Sequence, residues 1–200
     1  MNFKKIIKGN SCSLHLFNKK DEKLTDLIHV LFNDENIIGF MNPAYPIRKN
    51  RSTVKKWVIK TSENPFARWY VIKASGKYIG YVCFKWRKDY DEACEISTAI
   101  LPEFRGLKLG YESSKILIDY VSSTKYFKYI VAYIKIGNKK AENNIRKTGL
   151  KKNNRLQSII TKYFYGWDGS SAGRMNNLFV MKVEFKPNFV FTSEGFHLKK

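Results

Sequence analysis

The chain has 200 residues, 44% of them hydrophobic and 15% aromatic, and a formal net charge of +20. That length and apolar content suit one domain with a sizeable core and exclude a disordered chain. The three cysteines, Cys12, Cys83 and Cys94, show no pairing rhythm and no Cys-x-x-Cys, which excludes a disulfide framework and a zinc ribbon and leaves them as ordinary buried thiols.

The apolar run Ile6-Ile7 is too short for a signal segment, and no stretch approaches the roughly 18 apolar residues of a membrane span. A cytoplasmic protein without a membrane partner, monomeric or a homodimer, is therefore expected. The charge concentrates anions, whether nucleic acid, a phosphorylated cofactor or an acidic membrane, without choosing among them. It is dispersed, and the shared abundance of Lys, Asn and Ile is equally what genome composition produces.

Along the chain, residues 1–11 read as an N-terminal extension. Leu14 to Phe17 reads as a first strand. Asp21 to Phe32 places Leu24, Leu27, Ile28, Leu31 and Phe32 at helical spacing. Gly39 to Asn50, with Pro43 and Pro46, reads as a loop, and Ser52 as the cap of a second helix that Pro65 stops. Trp69–Ile72 and Tyr78–Trp86 form a hairpin about the turn Ala74-Ser75-Gly76-Lys77. Lys88 to Glu92 turns the chain into a strand from Cys94 to Leu101, which Pro102 ends. Arg105 to Gly110 is a loop and Tyr111 to Val121 a helix. Tyr129 to Ile136 is a strand, Asn138 to Thr148 a helix, and Gly149 its stop. Gln157–Tyr165 and Leu178–Phe185 read as last strands about a Gly-rich loop, 166–173. Residues 186–200 are a C-terminal extension whose Phe189, Val190, Phe191 and Phe196 are expected to dock. The order β-α-α-β-β-β-α-β-α-β-β gives an α/β (α+β) mixed sheet with helices on both faces. Ligands of such sheets sit beyond the carboxyl ends of strands, which directs attention to residues 94–121.

The stretch Glu95-Ile96-Ser97-Thr98-Ala99-Ile100-Leu101-Pro102-Glu103-Phe104-Arg105-Gly106-Leu107-Lys108-Leu109-Gly110-Tyr111 resembles the acetyl-CoA motif of the GNAT acetyltransferases, which ends in Arg/Gln-x-x-Gly-x-Gly/Ala. Asn138, Ala141, Gly149 and Leu150 resemble the Asn-x-x-Ala/Ser … Gly-Phe helix that follows in that family, and Gly80 fits its preceding hairpin. By element order the resemblance covers residues 12–185, the expected domain. By motif it covers residues 95–150. The order of elements resembles the branch that includes ribosomal-protein N-terminal acetyltransferases. The resemblance implies a GNAT-like fold with a central, mostly antiparallel twisted sheet. It also implies acetyl-CoA as co-substrate, no metal, and transfer to a primary amine of a protein N-terminus, an amino sugar or a small molecule.

Residue by residue, the resemblance implies that the backbone at Ala99, Ile100 and Leu101 pairs with the pantetheine arm like an added strand. Arg105, Gly106, Leu107, Lys108, Leu109 and Gly110, with Tyr111, would hold the pyrophosphate, and Asn138 would contact the cofactor. The chemistry suits this, because a loop opening a helix points bare N–H groups at an anion. A protonated amine must also lose a proton before it can attack. Glu95 is the candidate base. Its alternatives are a solvated strand-end carboxylate or a group that only orients the amine, and Asp91 and Glu92 are rivals for holding a cationic substrate. The family's first loop glycine falls on Lys108, and its frequent tyrosine falls on Ile145. Tyr133, Tyr163 and Tyr165 are the remaining acid candidates, each equally a core residue. His15, His29 and His197 are isolated.

Lys139, Lys140, Arg146, Lys147, Lys151, Lys152 and Arg155 stand against Glu142 alone. That face suits an anionic or ribosome-associated partner, the 3′-phosphate of CoA, or solvent. The rival class is a catalytically inactive GNAT-like module that binds nucleic acid through charge.

Overall fold

Turn chemistry and alternation lay down the sheet. In the computed structural model, which describes residues 3–41, 45–86, 93–153, 176–185, 189–192 and 195–198, strands β3 (Ala67–Ala74) and β4 (Lys77–Trp86) form the expected hairpin. Ser75 and Gly76 both take positive φ, 46° and 77°, the combination that matches a two-residue turn to the twist of its strands. Strand β5 (Ala93–Ile100) pairs antiparallel with β4. Strands β1 (Ile6–Lys8), β2 (Ser13–Leu16), β6 (Tyr129–Lys135), β7 (Lys151–Lys152) and β8 (Asn176–Lys182) complete an eight-stranded sheet of order β1-β2-β3-β4-β5-β6-β8-β7. Every neighbouring pair is antiparallel except β5 and β6. β9 (Phe189–Thr192) and β10 (Gly195–Leu198) form a separate antiparallel pair. Their side chains, and the strand expected at residues 157–165, lie outside the described residues.

Besides β9 and β10, which fall in the stretch read as a C-terminal extension, two strands of the main sheet were not legible in the pattern. β1 falls in the stretch set apart as an extension and forms the edge of the main sheet, while β7 follows Gly149 at the opposite edge. At three and two residues they are too short to show alternation.

Helices cover both faces, as expected. α1 (Glu22–Leu31), α2 (Glu35–Ile38) and α3 (Arg51–Ser62) bury Leu24, Ile28, Leu31, Val54 and Val58 against Trp69, Val71, Tyr81 and Cys83. α4 (Leu109–Thr124) and α5 (Lys139–Lys147) bury Leu117, Ile118, Val121 and Ile145 against Phe84, Ile96 and Ile130. Each fully buried aliphatic side chain contributes about 1.5–3 kcal/mol. Asp21, Asn50 and Asn138 cap α1, α3 and α5 by accepting the N–H of the third residue on. The cap of α3 is thus Asn50, not Ser52. Asn50 has the extended backbone a cap needs, and the Ser52 hydroxyl donates to its side chain at 2.9 Å. Among the described residues no helix is long and apolar enough to cross a membrane.

The hairpin β1–β2 is pinned to α4 by Glu112, in the first turn of that helix. Its carboxylate accepts the N–H groups of Ser11 at 2.6 Å and Cys12 at 3.3 Å. Burial pushes this carboxyl up, but hydrogen bonds from Ser11, Cys12 and Asn10 outweigh it and hold the group below the usual range. A depressed carboxyl contributes stability above its unfolded value that is lost as pH falls through the folded one. Acid melting curves should therefore show Glu112→Gln less stable than wild type at pH 7, with the gap closing below about pH 4.

Candidate active site

β5 and β6 start together and part. Their parallel ladder runs Ala93–Tyr129, Cys94–Ile130 and Glu95–Val131, while β5 continues to Ile100 and β6 to Lys135. Among the described residues, the carboxyl-terminal half of β5 therefore pairs with β4 on one side and with no strand on the other, which leaves an opening there. The Leu101 N–H donates to Ile79 O at 2.9 Å, so that residue faces β4. Antiparallel alternation then turns the backbone groups of Ala99 and Ser97 to β4 as well, and those of Ile100 and Thr98 toward the opening. Of the three residues expected along the pantetheine arm, Ile100 is the one whose backbone faces the gap. Arg105 is tied to it, its Nε donating to Ile100 O at 3.3 Å.

Gly80 sets how closely β4 approaches this edge. A Cβ there would lie 2.2 Å from Ala99 O and 2.9 Å from Ile100 Cα.

After β5, Pro102–Phe104 makes a single 3₁₀ turn and the chain enters α4 through Gly106, φ 83°, and Lys108, φ 61°. The departure at Lys108 thus falls on a left-handed residue, where glycine carries no steric penalty. Lys108→Gly is expected to raise stability by about 1 kcal/mol, a melting-temperature rise of roughly 2–4 °C; an unchanged or lower midpoint would show that the lysine contributes elsewhere. Arg105, Gly106, Leu107 and Lys108 are exposed, Leu109 is buried as the anchor, and Gly110 and Tyr111 are half-buried. Unlike α1, α3 and α5, α4 has no side-chain cap. Its first backbone bond runs from Glu112 N to Lys108 O, so the N–H groups of Leu109, Gly110 and Tyr111 precede any intrahelical acceptor. The Thr98 and Ser114 hydroxyls, 2.9 Å apart, tie α4 to β5.

Asn138 lies at the far side of the opening, after β6, but its carbonyl oxygen caps α5 on Ala141 N at 3.2 Å. Its amide NH2 is the group left for a ligand. Asn144, which the motif does not single out, brings its amide nitrogen to 3.7 Å from where a Gly110 Cβ would stand. Ile145 is 6% exposed and packs in the core, where the family's tyrosine would have stood.

Glu95 is buried at 4% exposure, which overturns the solvated alternative. It is the last residue of the β5–β6 ladder, where the strands part. Across the sheet it faces Lys85, whose Nζ lies 3.4 Å from Glu95 Oε1. The sequence reading missed Lys85, because its place opposite Glu95 is set by the register of β4 against β5. Tyr133 is half-buried on β6, whereas Asp91, Glu92, Arg155, Tyr163 and Tyr165 lie outside the described residues. Cys12, Cys83 and Cys94 are buried, with the Cys12 thiol pushed up to about 12 by burial and the nearby Glu112. No group of three metal-ligating side chains occurs among the described residues.

Residues 14–151 match the family model described as the acetyltransferase (GNAT) domain. The chain belongs to the GNAT acetyltransferase family. This acyltransferase uses acetyl-CoA as co-substrate. No curated protein matches it in sequence. Among solved structures it is similar to RimL, a ribosomal L7/L12 α-N-protein acetyltransferase in complex with coenzyme A. The identity is 14%, covering 90% of this chain and 99% of that one, with a TM-score of 0.70. It is similar to MccE, the microcin C7 self-immunity acetyltransferase in complex with acetyl-CoA and AMP, at 17% identity, 88% and 94% coverage and a TM-score of 0.68. A third likeness is an acetyltransferase from Salmonella typhimurium that modifies the N-terminal serine of L7/L12, at 15% identity, 89% and 99% coverage and a TM-score of 0.65. At these identities the likeness is one of fold.

Proposed function

We propose that this GNAT acetyltransferase works in the cytoplasm and transfers the acetyl group of acetyl-CoA directly to a primary amine, with a protein α-amine as the first acceptor to test. The observation that carries the reading is an uncapped helix N-terminus placed beside a strand edge that β6 leaves open. Acetyl-CoA supplies an acyl group activated as a thioester. The N–H groups of Leu109, Gly110 and Tyr111 bind its negative charge, with the helix dipole behind them. Ile100 and Thr98 offer backbone groups along the opening. Asn138 adds an amide donor from the other side. Glu95, at the point of divergence, takes the proton from the acceptor ammonium.

The acceptor reading draws on two of the similar structures, which act on the N-terminus of a ribosomal protein. An amino sugar or small amine remains the second class. The basic face supports an anionic or ribosome-associated carrier for the acceptor. Between residues 135 and 152 seven Lys and Arg oppose one acid, Glu142, giving 7 − 1 = +6 of the total +20. Lys139, Lys140, Arg146, Lys147, Lys151 and Lys152 are all exposed. By contrast, Glu22 and Asp26 on α1 pair with Arg51 and Lys55 on α3.

Calorimetric titration with acetyl-CoA at low and moderate salt tests the reading. Saturable one-to-one binding that survives the added salt is the expected result. No heat from folded protein, together with salt-steep binding to nucleic acid, would replace it with the polyanion-binding module.

A further inference from the structure

A carboxylate as buried as Glu95 resists ionisation, because removing it from water penalises the charged form. A base must nonetheless be ionised before the reaction starts. The surroundings of Glu95 address this directly. From β4, the Lys85 ammonium reaches Glu95 Oε1 at 3.4 Å, with the two side chains 15% and 5% exposed. Lys85 also donates to the Tyr45 hydroxyl at 2.9 Å and lies 5.4 and 5.6 Å from the ring centroids of Tyr45 and Trp69. Those rings are themselves fixed. Tyr45 stacks on Phe32 at 5.4 Å, and Trp57 meets Tyr45 and Trp69 edge-on at 5.5 and 5.0 Å. The box therefore holds one ammonium in one place, by cation–π attraction and a hydroxyl acceptor.

Among the described residues, further titratable groups near the pair are Tyr81, Cys83, Cys94 and, on β6, the half-buried Tyr133. Tyr81, on the same face of β4, is buried, bonded to Ser97, and pushed well up by burial. Cys83 stands between Tyr81 and Lys85 and is buried. Cys94 is pushed up chiefly by burial, then by Cys83 and Glu95. From β6, the residue paired with Glu95 is Val131, which is apolar.

We propose that Lys85 is a positioning residue for catalysis: its caged ammonium keeps Glu95 ionised in apolar surroundings and holds the carboxylate where β5 and β6 part. This rests on the reading of Glu95 as the base. Lys85 itself does not touch the acceptor. It acts through Glu95, and it sets the pH above which that carboxylate can accept a proton.

The test is the titration of the Glu95 carboxyl carbon by 13C NMR, assigned by its loss in Glu95→Gln, in wild type, Lys85→Met and Lys85→Arg. Methionine fills the aromatic box without charge, and arginine keeps the charge. Lys85→Met is expected to move the Glu95 titration up by about 1–3 pH units, with Lys85→Arg restoring most of it. The acid limb of kcat/KM, measured with acetyl-CoA and a free-amine peptide, should move by the same amount. A Glu95 titration that is identical in all three proteins overturns the proposal. A moved titration with an unmoved acid limb overturns the catalytic role of the pair, and turnover retained by Glu95→Gln would trace that failure to the base assignment. Thermal melting identifies a variant that has lost its fold, and Lys85→Gln then replaces Lys85→Met.

Discussion

Glu95→Gln is expected to lower turnover by about 10²–10⁴-fold while leaving acetyl-CoA affinity within about a factor of two. The carboxylate stands where the strands part, off the loop proposed to bind the cofactor's negative charge, so removing its charge should remove proton transfer and spare cofactor binding. The burial of the pair complicates the variant in a useful way. Glutamine leaves the Lys85 ammonium with a neutral neighbour, and breaking a buried pair costs about 3–5 kcal/mol when nothing replaces the lost charge. The double variant Lys85→Met/Glu95→Gln removes both charges and should recover most of that stability without recovering turnover. Steady-state kinetics and melting curves on the single and double variants separate the two effects. Turnover that returns with stability in the double variant would reduce Glu95 to a structural partner of Lys85.

Gly80→Ala should destabilise the protein by about 1–3 kcal/mol, a fall of roughly 2–12 °C in melting temperature, and weaken acetyl-CoA binding in calorimetry. The added methyl would sit 2.2 Å from the Ala99 carbonyl oxygen and 2.9 Å from Ile100 Cα. Both obstacles are backbone, so no side chain can rotate away. The relief is a shift of β5 away from β4, into the opening where the cofactor is proposed to lie. Gly110→Ala is the control. Its methyl would meet Ile100 Cδ1 at 3.4 Å and the Asn144 amide at 3.7 Å, the first a flexible chain end and the second ordinary contact. Equal losses in the two variants would mean that any side chain in this region disturbs binding, not the spacing of β4 and β5.

The contrast between these glycines marks the limit of motif reading. In the sequence Gly80, Gly106 and Gly110 carry similar weight. In the fold Gly106 is needed for its positive φ, Gly80 for a close backbone approach, and Gly110 for neither. Lys108 reverses the case, since a left-handed conformation is met there by a residue that adopts it at some strain.

The sequence by itself determined the features that are local in the chain. Alternation placed β3 to β6, helical spacing placed α1, α4 and α5, and Asp21, Asn138 and Gly149 marked helix ends where they act. The motif from Glu95 to Tyr111 fell on the strand, loop and helix that surround the opening. Each of these signals is complete within a dozen residues, because a cap, a turn or an amphipathic face is satisfied by neighbours in sequence. Tertiary structure decided the rest. That Glu95 is buried, that Lys85 is its partner and that Tyr45 and Trp69 cage the lysine depend on groups from β3, β4, β5 and the loop before α3 meeting across one face. The pinning of Ser11 and Cys12 by Glu112 spans about a hundred residues. The register that turns Ile100 rather than Ala99 toward the gap rests on a bond from Leu101 to Ile79. Burial and charge pairing are properties of what surrounds a residue in space, and a single strand of sequence carries no record of which distant side chains will provide it.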